Sequence, residues 1–269
     1  MKSNRLILAF LVLPVVLFSC RKEPVPAPAY ILVEPDWSAC EGVVSEVGYF
    51  PWTVKIGDDY TASEWKEAVH KSDAVFAPGV YAVSVYSGAG MSFDDGVISQ
   101  QLMTCHIDGR PYEAIEYNHT GAYYGRAEVT VTDNGGQVSV PIEQYARMLY
   151  VNVEFDGNID GVLRLDGYLS DVYAEYDTGT GMYGRRVMQR LFDADKGIPV
   201  LGMPSGDKTI YWLLDIHDSE NDIRFSGIVE DRLDAMMFYY FNDNKEEPFT
   251  ITRRISLSSG ENGPEVTIR

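Results

Sequence analysis

Apolar and polar residues alternate in short runs along most of the chain, and turn-forming residues bound these runs. Clear examples are YAVSVY (81–86), VNVEF (151–155) and FTIT (249–252). A period of two predicts strands with one buried face. Because the runs follow one another every ~8 to 12 residues without helices between them, the pattern predicts an all-β protein built from antiparallel sandwiches.

Two segments add detail to this pattern. EVTVTDNGGQVSVPI (128–142) predicts a hairpin, with the turn at 133–136, because Asp, Asn and Gly tolerate positive φ. TASEWKEAVHK (61–71) predicts one short helix, since Thr61 and Glu64 have the spacing of a capping box. The most favourable domain boundary follows the hairpin, so we predict one sandwich over 30–146 and a second over 147–269.

The N-terminus predicts export and lipid attachment. Residues 1–20, MKSNRLILAFLVLPVVLFSC, combine a basic start with an apolar stretch that is too short to span a membrane. The sequence LFSC resembles a bacterial lipobox, which predicts a signal peptide over 1–19 and acylation of Cys20, with palmitate among the expected chains. Residues 20–29 are rich in proline and predict an extended tether. We therefore expect an outer-membrane lipoprotein exposed at the cell surface.

Composition and charge exclude several partners. The chain has 269 residues, 45% of them hydrophobic, and a formal net charge of −18. Loss of Lys2 and Arg5 with the signal peptide changes this charge to −20. So acidic a chain repels phosphate backbones, and no nucleic acid is expected as a partner.

No motif predicts catalysis, a metal or a cofactor. The four histidines are scattered, and no G-x-S-x-G or phosphate-binding loop occurs. DGNIDG (156–161) resembles the start of an EF-hand loop, but Gly167 stands where the bidentate Glu is required, which favours an ordinary turn. We expect no enzyme; a hydrolase would require a cleft with paired carboxylates.

Cysteines and aromatic residues leave alternatives open. An oxidising compartment permits a disulfide between Cys40 and Cys105, and two buried free thiols are the other reading. The densest aromatic groups, Tyr123-Tyr124 and 238–241 (FYYF), are typical of sandwich cores, while an exposed strip of rings would bind sugars.

The order of LFSC, the tether, VEPDWSAC (33–40), FAPGVYAVSVYSG (76–88) and MLYVNVEFDG (148–157) resembles fimbrillin-like lipoproteins of Bacteroidetes, including FimB-type fimbrial anchors. GYLSDVYAEYDTGTG (167–181) extends the resemblance. It implies two transthyretin-like antiparallel β-sandwich domains in series and assembly with other fimbrial subunits by strand donation. The physical basis of donation is that a partner's extended segment satisfies an exposed sheet edge and fills its apolar groove.

One feature departs from the polymerising members of that family. Those subunits carry a basic cleavage site after the first strand, whereas this chain has no arginine between Arg21 and Arg110. Lys55 and Lys66 leave a lysine-specific cut open. The departure predicts a fimbrial anchor or accessory subunit that keeps its lipid and its first strand.

The C-terminal PEVTIR (264–269) alternates as an edge strand or a donated strand would. If it is donated, removing these residues abolishes co-purification with a fimbrial partner and leaves the fold intact. The alternative function is carbohydrate binding by an outer-membrane lipoprotein of a glycan-uptake system.

Overall fold

The computed structural model describes residues 29–40, 51–87, 90–94, 96–115, 122–157, 159–191, 194–243 and 247–269, with only the backbone at Glu64. The predicted signal peptide, Cys20 and nearly all of the tether lie outside these ranges. Within them the chain forms strands and three short 3₁₀ turns, so the all-β prediction is confirmed. In chain order the strands are β1 (Ile31–Asp36), β2 (Trp52–Ile56), β3 (Tyr60–Trp65), β4 (His70–Lys71), β5 (Gly79–Ser87), β6 (Met91–Asp94), β7 (Val97–Gln100), β8 (Leu102–Ile107), β9 (Arg110–Ile115), β10 (Tyr123–Val131), β11 (Gly136–Pro141), β12 (Glu143–Gln144), β13 (Arg147–Phe155), β14 (Gly161–Asp177), β15 (Met182–Arg190), β16 (Ile198–Val200), β17 (Lys208–Asp218), β18 (Ile223–Leu233), β19 (Phe249–Gly260) and β20 (Gly263–Ile268).

Two sheets from the first half of the chain pack face to face. One has the order β11-β1-β4 and the other the order β12-β10-β5-β2-β3. Alternate residues of both sheets point into one cluster, which includes Ile31 and Val33 from the first sheet and Val54, Val83 and Val85 from the second. This is the sandwich that alternation predicts, because each strand has one apolar face to bury.

Two further sheets form the larger core. They have the orders β16-β13-β19-β20 and β18-β17-β14-β15-β9-β8. Leu169, Trp212 and Leu214 of the larger sheet share a cluster with Leu149 and Ile251 of the smaller one. The opposite face of the larger sheet carries a second cluster that contains Tyr168, Met188 and Leu213.

Strands from before the predicted boundary enter this larger sheet. β7 pairs with the end of β14, and β9 pairs in parallel with β15. The β6–β7 and β8–β9 hairpins, all within 91–115, therefore hydrogen-bond with strands that follow residue 147. The division of the chain at 146/147 stays a prediction, and the sheet itself crosses it.

The predicted hairpin over 128–142 is half right. The turn is where the sequence predicts it, with a bridge between Thr132 and Gly135, and Gly135 has a φ of 98°. The strands on either side do not pair with each other: β10 pairs with β5, and β11 pairs with β1. The chain crosses from one sheet to the other at this turn. The inward side chains of β10 and β11 therefore meet across the core.

The predicted helix over 61–71 is wrong. Tyr60–Trp65 forms β3, which pairs antiparallel with β2, and His70–Lys71 forms β4. A helix of about eleven residues is marginal without tertiary support. Pairing with β2 places Tyr60, Ala62 and Trp65 against the core of the first sandwich, and this burial outweighs the local capping signal.

Candidate subunit-interaction sites

The first described strand, β1, lies in a groove between two other strands. β1 is parallel to β11 along its full length, from Ile31 opposite Gly136 to Asp36 opposite Pro141. Its other edge pairs with β4. It is therefore the central strand of its sheet, with hydrogen-bonding partners on both sides.

Both ends of β1 are held by further backbone contacts. Ala29 and Phe76 exchange hydrogen bonds at 2.8 and 3.4 Å, just before the strand. The Ile31 amide donates to the Ser72 hydroxyl at 3.0 Å, and the Ser72 amide donates to the Ile31 carbonyl at 2.9 Å. After the strand, the Ile142 amide donates to the Asp36 carbonyl at 2.9 Å. The segment is therefore clamped from its first described residue onward.

A buried histidine forms part of the wall of this groove. His70 is 2% exposed and lies opposite Val33 of β1. Its Nε2 is 2.8 Å from the Tyr60 hydroxyl, and its ring packs edge-on against Trp65. Its Nδ1 has no hydrogen-bond partner among the described residues. Burial lowers the pKa of His70 below the usual 6.5, and nearby Asp73 opposes this effect.

This environment predicts acid sensitivity of the first sandwich. The unfolded chain takes up a proton at His70 near the ordinary pKa of 6.5, whereas the folded chain resists protonation until a lower pH. Neutral His70 therefore makes its full contribution to the free energy of unfolding above the ordinary pKa of 6.5. This contribution is lost as the pH falls from 6.5 towards the lowered pKa of the folded chain. Of the groups near the His70 ring, the Tyr60 hydroxyl contacts it directly, and Asp73 acts on it through the charge of its carboxylate. Lys71 is the next residue along β4.

The measurement is urea unfolding at about pH 7.5 and about pH 5.5. We expect His70→Gln to reduce the loss of stability between the two pH values, although it costs stability at the higher pH. His106→Gln is the matched control, because His106 is exposed on β8. Equal pH dependence in the wild type and His70→Gln would contradict the prediction.

Lys55 and Lys66, the two residues at which a lysine-specific protease could cut near the first strand, lie in or beside strands of the first sandwich. Lys55 is in the middle of β2, which pairs with β3 on one side and β5 on the other. Lys66 directly follows β3. A cut at Lys55 would divide a central strand, and a cut at Lys66 would detach three strands of the first sandwich. Neither cut releases β1 alone.

The C-terminal strand is an edge of its own sheet. β20 pairs antiparallel with β19 and is the last strand in the sheet order among the described residues. Val266 and Ile268 pack against the larger core. The predicted result that removing 264–269 leaves the fold intact is therefore revised, since the deletion also uncovers apolar residues of β19.

The register of β20 shows which backbone groups point outward. Arg254 and Arg269 exchange both backbone hydrogen bonds, at 2.9 and 3.0 Å. Hydrogen-bonded pairs alternate along an antiparallel ladder. The amides of residues 265 and 267 therefore face β19, while those of Val266 and Ile268 point away from it. Pro264 has this outward orientation too, so it costs no ladder hydrogen bond.

The cysteines are not brought together. Cys40 and Cys105 are both buried, and no disulfide joins them in the structure. Cys40 lies in the core of the first sandwich, and its Sγ donates to the Ile142 carbonyl at 3.4 Å. Cys105 belongs to the separate cluster on the outer face of the large sheet. The lipidation site at Cys20 lies outside the described residues.

The aromatic groups are largely internal. Tyr123 and Tyr124 are buried, as are Phe238 and Phe241, whereas Tyr239 and Tyr240 are exposed. The buried rings stabilise the cores, as the sequence favours. Tyr239 and Tyr240 contact each other edge to face at 4.8 Å and form no extended strip.

The DGNIDG segment behaves as a turn in its described part. Asp160 accepts hydrogen bonds from the backbone and the hydroxyl of Ser219, which lowers the pKa of its carboxyl. Asn158 lies outside the described residues. Within the described part of the chain, no group of three His, Cys, Asp or Glu residues could hold a metal ion. A search of the same residues finds no helix with the length and apolarity needed to cross a membrane.

The walls of the β1 groove were not recognised from the sequence. His70 and Ser72 lie in the segment that the capping signal assigns to a helix or its end. Their alignment with β1 depends on residues about 40 positions apart in the chain, and local pattern carries no information on such pairing. A period-two reading of 60–65 would have been the available signal.

Comparison with known proteins gives distant structural similarities. No protein-family model and no curated protein match the chain. A solved candidate adhesin from Bacteroides ovatus is 14% identical, with a TM-score of 0.47, covering 98% of this chain and 95% of the other. The fimbrial anchor protein Mfa2 from Porphyromonas gingivalis is 12% identical, with a TM-score of 0.42 and coverage of 90% and 97%. A fimbrial assembly protein from Parabacteroides distasonis is 11% identical, with a TM-score of 0.39 and coverage of 90% and 94%.

Proposed function

We propose that this protein is a lipid-anchored surface protein that acts as the anchor or an accessory subunit of a fimbria. The observation that carries the proposal is that β1, the first strand after the tether, fills its own groove between β11 and β4. A subunit that accepts a donated strand needs such a groove to be empty. A subunit that fills the groove with its own strand cannot accept a donated strand there. It would therefore stand at one end of a fibre.

The tether connects this groove to the membrane. With Cys20 acylated, residues 20–29 span at most about 30 Å in the extended proline-rich form. Two or more acyl chains give stable attachment, because each buried methylene contributes about 0.8 kcal/mol. Any load on the fibre passes through β1, which hydrogen bonds hold on both edges.

The open edge of β20 is the proposed contact with the next subunit. An edge strand has unpaired amides and carbonyls that a partner strand can satisfy. Here the amides of Val266 and Ile268 supply these groups, and the pairing with β19 keeps them in place. The C-terminal strand thus remains in its own sheet, and the strand of the next subunit pairs with its other edge.

Membrane attachment is tested by replacing the acylated cysteine. We expect Cys20→Ser to move the protein from the outer-membrane fraction to the soluble fraction and to abolish incorporation of an alkyne-labelled palmitate. Cys40→Ser is the control, because Cys40 is a buried thiol of the sandwich. Membrane attachment that survives Cys20→Ser would refute the lipid anchor.

The edge is tested by pull-down from native outer membranes, with identification of the proteins that co-elute. Val266→Pro removes one outward amide and preserves the ladder to β19, so we expect loss of the fimbrial partner from a folded protein. Val266→Ala reduces the same side chain but keeps the amide, and should retain the partner. Equal recovery of a fimbrial subunit with all three proteins would exclude this edge, and recovery of none with the wild type would exclude the fimbrial role.

A further inference from the structure

A cleft of about 320 Å³ lies where the first sandwich meets the β6–β7 hairpin. Its floor is the outer face of the five-stranded sheet, on the side opposite to the core of the first sandwich. Its remaining wall is Phe93 and Gly96 of the hairpin, which pairs with the large sheet. The volume is at the lower end of the range for ligand pockets, about 300–1,000 Å³, and such pockets are common where two packed units meet.

The floor of the cleft carries a row of two cations around a serine. Lys55 of β2 is directly opposite Ser84 of β5, and Ser84 is directly opposite Arg126 of β10. Adjacent strands are about 4.8 Å apart, so the two cations rise from positions about 10 Å apart on one face. Neither forms an ion pair with a carboxylate among the described residues.

The next row of the same face is aromatic. Tyr86 is directly opposite Tyr124, and Phe93 of the hairpin stacks on both, at 4.5 and 5.9 Å between ring centroids. Burial raises the pKa of the Tyr86 hydroxyl, which stays a neutral hydrogen-bonding group. At the rim, the exposed Asp58 carboxylate can accept hydrogen bonds from hydroxyl groups.

Lys55 and Arg126 face the same cleft in a chain that is rich in carboxylates. It has 40 acidic and 22 basic residues, so carboxylates are the more abundant side chains. Several arginines form ion pairs with these carboxylates at the surface, among them Arg185, Arg224 and Arg254. The Lys55 and Arg126 side chains instead face a cleft, where an anionic ligand group would relieve their mutual repulsion.

We propose that this cleft binds a sugar that carries a carboxylate. Lys55 and Arg126 contact the carboxylate, and Ser84 and Asp58 contact ring hydroxyls. The half-buried rings of Tyr86 and Phe93 pack against the apolar face of the sugar ring, and the buried Tyr124 supports them from below. Amphipathic rings combined with charged donors fit such a ligand better than a purely apolar one. This site is independent of the fimbrial role, because it uses neither β1 nor the β20 edge.

The test is titration of the complete mature chain with D-glucuronate, with binding measured by isothermal calorimetry or saturation-transfer NMR. D-glucose is the neutral analogue, and inorganic phosphate is the simple anion. We expect glucuronate to bind more tightly than either, with an affinity that falls as salt concentration rises. Binding by glucose or phosphate as tight as that of glucuronate would overturn the proposal, and so would absence of glucuronate binding at millimolar concentration.

Variants locate the site. Lys55→Gln and Arg126→Gln should each weaken glucuronate binding by about tenfold or more, as expected for loss of a charge-assisted hydrogen bond. Phe93→Leu removes the ring and keeps an apolar side chain, and it should weaken binding as well. Arg232→Gln is the control, since Arg232 is exposed on β18 away from the cleft. Circular dichroism checks that each variant is folded, and unchanged affinity in the Lys55→Gln/Arg126→Gln double variant would refute the assignment.

Discussion

Replacing Val33 with aspartate is expected to unfold the first sandwich. Val33 is fully buried at the centre of β1 and belongs to the cluster between the two sheets of that sandwich. The substitution removes apolar burial and forces a carboxyl group among the apolar side chains of this cluster. A contact with His70, which lies opposite on β4, offsets only part of this cost, so we expect a loss of more than about 4 kcal/mol. That is a large fraction of the stability of a typical domain, about 5–15 kcal/mol.

The measurement is thermal unfolding by circular dichroism, with limited proteolysis to identify the part that opens. Glu34→Ala, at the adjacent exposed position of the same strand, should change stability by no more than about 0.5 kcal/mol. The proposed role of β1 predicts a further effect, because a collapsed groove cannot carry load from the tether. A Val33→Asp protein that melts like the wild type would show that β1 does not occupy this groove.

Asp231→Ala is the second substitution with a large expected effect. Asp231 Oδ2 accepts from Arg253 Nε at 2.7 Å and from Trp212 Nε1 at 3.4 Å. The two charged side chains are 8% and 14% exposed. Removal of the carboxylate leaves a mostly buried guanidinium without its partner, which costs about 3–5 kcal/mol.

A matched pair on the same strand provides the control. Arg254, the next residue of β19, pairs with Glu154 at the same distance of 2.7 Å, but these side chains are 60% and 53% exposed. Glu154→Ala should therefore cost no more than about 1 kcal/mol in urea unfolding. The Asp231→Ala/Arg253→Met double variant should recover most of the loss. Similar effects of Asp231→Ala and Glu154→Ala would mean that burial does not decide the strength of these pairs.

Prediction from sequence succeeded where the signal is local. The alternating run YAVSVY (81–86) lies within β5, which begins at Gly79 and is the central strand of its sheet. The turn at 133–136 is also correct, since positive φ at Gly135 needs a residue without a Cβ. The error at 61–71 has the opposite cause: its helix signal is local, while the strand is stabilised by β2, to which no local pattern refers.

The order of amino acids by itself determined that this chain forms strands, where several turns lie, that its surface is acidic, and that its N-terminus has the pattern of a lipid-modified export signal. Only the tertiary structure decided which strands are neighbours: that β10 and β11 belong to opposite sheets, that β6–β9 join the large sheet, and that Lys55, Ser84 and Arg126 form one row. The physical reason is that alternation specifies which face of a strand is buried. Pairing depends on hydrogen bonds and packing between residues far apart in the chain, and these are chosen only when the whole core is assembled.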